Sequence, residues 1–249
     1  KVELTKGLLW GGSRPPIAPP IGRPPRLGMT CLVSYHHKSR RSLMPYQNRV
    51  DPFGRFHSVP ARGELMGNRG ILHDDEKRIV STYRHQNWIA CTLAFSGRKR
   101  TIMSPGTYTE LFFLDEATAY AAGHRPCAEC RYRDYKEFSR YWREVHGDPE
   151  PGRLLSKTID RRLHAHRIAR NRQKVTFEAA AEDLPDGTLF ALEDQAVLVW
   201  NGGQFDWSFT GYRKRPLFER GAATVLTPRP IVELFDKGLR PAVHGSATN

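Results

Sequence analysis

No apolar run in this 249-residue sequence approaches the roughly 20 residues that a membrane span requires. The longest, around 89–95 and 196–200, have the length of strands. A soluble chain with no membrane partner is therefore expected. The opening ten residues lack a continuous apolar stretch with a small-residue cleavage site behind it, which argues against a secretory signal. Cysteine is scarce, with four residues, and two of these stand in Cys127-Ala128-Glu129-Cys130. That usage suits a metal site in a reducing, cytoplasmic setting better than a disulfide framework. Acidic residues are also in deficit, 26 Asp and Glu against 39 Lys and Arg, for a formal charge of +13. A 39% hydrophobic content nevertheless excludes a wholly disordered chain and supplies one sizeable core or two small ones.

The charge is unevenly spread. Residues 1–43 hold eight basic side chains against the single acid Glu3, so +7 of the +13 falls there. The same segment has six prolines and no sustained apolar period, and it cannot bury enough surface to offset its ordering entropy. It reads as a disordered basic arm. Because Met44 looks like a natural start, the arm is expected to be either upstream sequence foreign to the protein or a grip for phosphates.

Beyond the arm the pattern is α+β. Gly63, Gly67 and Gly70 punctuate short strands between 55 and 95, and Ser96-Gly97 predicts a hairpin turn with Arg98, Lys99 and Arg100 at its tip and a returning strand to Met103. Asp115 stands as an N-cap before an alanine-rich helix that Gly123 ends. Aromatic residues at 132, 135, 138, 141 and 142 mark a second helix, and 154–171 reads as a third. After residue 180 the pattern changes to short apolar strands with turns at Asp186-Gly187 and Gly202-Gly203, then a last helix over 230–237. The expected organisation is an arm at 1–43, an α+β metal-knuckle domain at 44–180 and a small β-rich domain at 181–249.

Cys127 and Cys130, two thiols separated by two residues, can close on one tetrahedral metal from a tight turn, with zinc as the default. Cys91 is a plausible third ligand. The fourth is open between His73, His85, His164 and a water. The run from Phe112 and Phe113 through Asp115, the alanine-rich helix and Gly123-His124-Arg125-Pro126-Cys127-Ala128-Glu129-Cys130-Arg131 resembles the second half of the metal-binding domain of the bacterial adaptive-response (Ada) protein. The likeness covers about 20 residues. It implies half of a zinc site on a DNA-associated knuckle. The family's other two cysteines lie about thirty residues upstream, where this sequence has Ser96 to Arg100, so the methyl-accepting chemistry does not carry over. The wider segment 60–74, with Val225-Leu226-Thr227-Pro228, resembles a group of uncharacterised bacterial proteins that pair it with such a knuckle. Nucleobase deaminases share a Pro-Cys-x-x-Cys, but they need a His-x-Glu upstream that is absent here.

Around the motif, Arg62, Arg69, Arg98, Lys99, Arg100, Arg125 and Arg131 could converge on phosphates. Trp207, Phe209 and Tyr212 among basic residues could stack on bases, but the alternate spacing of Phe205, Trp207 and Phe209 is equally the inward face of a strand, and core packing is the expected role. Asp160 and His164, four apart on a predicted helix, have the spacing of a general-base pair, and His73 with Asp74 is a second acidic and imidazole cluster of the kind that serves Mg²⁺ or Mn²⁺. The expected function is DNA binding, with a DNA-processing, repair-type nuclease as the catalytic version. The alternatives are a non-catalytic DNA or RNA module and a small-molecule zinc enzyme with Glu129 near the metal.

Overall fold

The protein is described by a computed structural model over residues 44–97 and 101–248. The proposed arm and the basic tip Arg98, Lys99 and Arg100 lie outside the described residues. The expected α+β class holds: two six-stranded sheets and four α-helices are present among the described residues.

The first sheet contains β1 (Arg49–Val50), β2 (Phe56–His57), β3 (Leu65–Asn68), β4 (Ile89–Thr92), β5 (Leu111–Phe113) and β6 (Arg125–Pro126). Their order is β2-β1-β5-β3-β4-β6, and β4 pairs with β3 antiparallel and with β6 in parallel. This corrects the expected hairpin. Ser96 and Gly97 do turn, with positive φ of 50° and 65°. Among the described residues no strand returns to β4, however, because both of its edges are already taken. Met103 instead sits buried in a turn and donates its N–H to the Glu110 carboxylate at 2.8 Å.

The glycines of β3 and its approach are set by crowding. A Cβ on Gly67 would stand 2.3 Å from the Phe113 ring, and one on Gly63 would stand 2.1 Å from the Phe113 carbonyl oxygen. Only hydrogen lets β3 lie against β5 there.

Helix α1 (Glu116–Ala121) starts at Asp115, whose carboxylate accepts from the Thr118 N–H at 2.8 Å. Every residue of α1 is buried. Ala119, with Ala122 just beyond the helix, packs on the first sheet beside Val50, Leu111 and Phe113. Ala117 and Ala121 pack on the second sheet beside Leu189, Leu198 and Phe205. Tyr120 points to a third cluster made by the other helices. A helix covered on all sides has no polar face to offer, and alanine lets both sheets come close.

Helix α2 (Tyr132–His146) buries Phe138 and Trp142, and α3 (Leu155–Arg167) buries Ile159 and Leu163. Both pack with α4 (Arg229–Asp236) through Ile231, Leu234 and Phe235. The third helix is shorter than expected, because Ile168 turns to extended backbone and bridges Lys174 across a tight reversal.

The second sheet holds β7 (Phe177–Ala180), β8 (Leu189–Leu192), β9 (Gln195–Trp200), β10 (Gly203–Ser208), β11 (Gly211–Lys214) and β12 (Ala222–Val225). It is antiparallel throughout, in the order β11-β10-β9-β8-β12-β7. Gly187 and Gly202, at φ of 93° and 71°, make the expected turns. Tyr212 is buried with its hydroxyl on Asp115 at 2.9 Å, and the Trp207 indole donates to Thr118 at 3.0 Å. Both aromatic residues fasten the second sheet to the start of α1, in keeping with the inward-facing strand reading.

Candidate metal centre

The parallel pairing of β4 with β6 builds the site. Ala90 stands opposite Pro126, and the next residue on each strand is a cysteine. The Cys127 N–H donates to the Ala90 carbonyl at 3.0 Å, which seats Cys127 beside Cys91. The chain then turns, the Arg131 N–H reaching back to the Cys127 carbonyl at 3.1 Å, and Cys130 is presented just before α2.

The three sulfur atoms lie within 4.8 Å of one another. Three thiolates on one tetrahedral zinc are separated by about 3.8 Å, given metal–sulfur bonds of about 2.3 Å, so a small closing movement suffices. The group could hold a metal ion, and the donor chemistry is already prepared. The Cys91 thiol donates toward Cys127 and, with the Cys130 and Glu129 N–H groups, holds the Cys127 thiol down to about 5, against the opposing effect of burial. Cys91 is pushed up by the same hydrogen bond and by burial. The Glu129 N–H lies 3.5 Å from the Cys127 sulfur.

The centre forms part of the wall of a cavity of about 490 Å³, together with Met66, Ile89, Phe95, Tyr108, Glu110, Phe112 and Glu129. Tyr108 and Glu110 carried no sequence signal, since they arrive from a loop that only the fold brings to the cysteines. None of the three histidines proposed as fourth ligand joins the group. His73 is held by Thr109 at 2.6 Å and by the Ser104 carbonyl at 3.2 Å. His164 packs its ring edge-on against Tyr83, at 5.1 Å between centroids, and close to Trp88. His85 lines a separate depression with His73. Cys31 lies outside the described residues.

The remaining sequence-derived candidates are dispersed. Asp160 does not orient His164; its two oxygens accept from Arg125 Nε and Nη2, each at 2.8 Å, in a buried bidentate pair. The expected general-base pair is therefore not formed, because the better partner for the carboxylate is a guanidinium brought in by β6. Asp74 caps its own turn, accepting from the Arg78 N–H at 2.9 Å, and among the described residues it joins no group of three or more close ligand atoms. Arg131 is buried between Glu116 and Asp134. Arg69 is buried against Trp88, whereas Arg62 is exposed, as are the neighbouring Arg78, Arg84 and Arg133.

Comparison with known proteins gives no matching family model, curated protein or solved structure.

Proposed function

We propose that the protein is a zinc-dependent enzyme acting on a small molecule that enters the 490 Å³ cavity. The observation that carries this reading is the position of the cysteine trio on the cavity wall. Structural zinc sites are closed by four protein ligands, whereas catalytic ones keep three and leave a position open. Three donors among the described residues, on the wall of a cavity, fit the second pattern. Bound zinc would supply a Lewis acid at that wall. The chain's own contribution is an apolar lining of Met66, Ile89, Phe95 and Phe112, with Glu110 and Glu129 on the same wall.

The test is elemental analysis followed by cobalt substitution. About one metal per chain is expected, with thiolate-to-cobalt absorption that shifts when a small hydroxamate or thiol is added. A cobalt spectrum indifferent to every added ligand would mean a closed, structural centre.

A second reading, DNA or RNA binding, is supported by the charge of the chain and by exposed Arg133, Arg161 and Arg162 on α2 and α3. Retention on heparin and on a DNA duplex that falls steeply with salt is its signature. Elution at the salt expected for any weakly basic protein would remove it.

A further inference from the structure

A cavity of about 670 Å³ lies away from the cysteines and carries a charge imbalance. Arg69, Arg167 and Lys174 all line it. Arg69 and Arg167 are each 2% exposed. Their guanidinium carbons both lie 4.1 Å from the centroid of the Trp88 ring, so the two charges share one aromatic neighbour. No carboxylate stands within ion-pair distance of any of the three among the described residues. Asp51 is spoken for by His57 at 2.8 Å, and Asp160 by Arg125. Glu193 and Asp194 line the cavity but are exposed and make no ion pair with these groups.

The three cations do have partners, all of them uncharged. Lys174 donates to the Ala121 carbonyl at 2.6 Å, Arg69 to the Ala122 carbonyl at 3.4 Å and Arg167 to the Gly123 carbonyl at 2.8 Å. These are the free carbonyls at the end of α1. A helix end presents about half a negative charge, and Asp51 and Asp160 act only from beyond ion-pair distance, which leaves the two guanidinium charges, joined by the Lys174 ammonium below about pH 7, incompletely compensated. Buried charge in that condition is costly, and an anion entering the cavity removes the cost.

We propose that this cavity binds a phosphomonoester dianion, with Arg69, Arg167 and Lys174 as its counter-charges and Phe53 and Phe56 against the organic part. Two negative charges match the excess better than one. The volume exceeds what bare phosphate needs, and the aromatic walls favour a flat ring, as in a nucleoside 5′-monophosphate. The same chemistry is carried by the 5′-phosphate end of a nucleic acid. The site is independent of the metal reading, because it needs no metal.

The experiment is calorimetric titration of the full chain, at fixed ionic strength, with inorganic phosphate, a nucleoside 5′-monophosphate, and an oligonucleotide with and without its 5′-phosphate. Saturable phosphate binding is expected, tighter for the nucleotide. Lys174→Met should weaken it roughly 10- to 100-fold, the loss of one charge-assisted hydrogen bond. Thr176→Glu, which places a carboxylate at an exposed wall position, should weaken it too and guards against a folding defect in the first variant. A 5′-phosphorylated oligonucleotide that outcompetes the nucleotide would assign the phosphate to a nucleic-acid end; the reverse would assign it to the free nucleotide. Absence of saturable binding by every phosphate, or affinities unchanged in both variants, would overturn the proposal. The cobalt spectrum of the metal centre would be untouched by either result.

Discussion

Asp115 shows how much one side chain can hold. Its carboxylate takes four donors: the Thr118 N–H and hydroxyl, the Tyr212 hydroxyl and the His244 N–H. Asp115→Ala removes a helix cap and strands the buried Tyr212 hydroxyl, and should cost about 2–4 kcal/mol in urea unfolding. Asp115→Asn should cost less. At Cys127 the expected result is different in kind: Cys127→Ser should lose the metal, read by elemental analysis, along with the stability the metal contributes. Lys174 gives a pH signature. Burial brings its ammonium down to about 7. An unfolded lysine titrates near 10.4, so between these values the unfolded chain holds a proton that the folded chain has released. Stability from this group therefore rises with pH across that window. The melting temperature of Lys174→Met should show a smaller rise between pH 7 and 9 than that of the native chain; identical profiles would mean that Lys174 keeps its proton.

At the scale of elements, α1 is the part most completely written in its own residues. Asp115 and Gly123 mark its ends and three of its six residues are alanine, so local chemistry alone locates it. Its burial on every side also makes it intolerant of size: Ala119→Leu should destabilise by about 1–3 kcal/mol by overpacking, measured by chemical denaturation. The expected hairpin at 96–103 was misread for the opposite reason. A turn signal says that the chain reverses, but which strands occupy the neighbouring edges is decided by β3 and β6, 21 or more residues away in register. Asp160 and His164 are a similar case. Their helical spacing is right, and the carboxylate's actual partner, Arg125, is 35 residues earlier. Cys91 was legible as a ligand only because so few cysteines compete for the role. The phosphate cavity was not legible at all, since its three cations converge from three segments on the end of a helix whose carbonyls carry no sequence label.

At the scale of the molecule, the described residues contain both sheets, the helices joining them and the cysteine trio. A chain beginning at Met44 should therefore melt in one cooperative transition and keep its metal, checked by calorimetry and elemental analysis; a broad, non-cooperative melt would show that residues 1–43 are needed for folding. The parallel register of β4 and β6 has one further consequence, and it concerns time. Cys127 and Cys130 can meet an ion as soon as their local turn forms, but Cys91 arrives only when two strands separated by more than thirty residues have paired. Pairing over such a loop is slow compared with forming a turn. During refolding with the ion present, capture should come in two kinetic phases, a fast and weak one on two sulfurs and a slower one that locks the third, so that the colour of a cobalt-loaded chain becomes a clock for the closure of the first sheet.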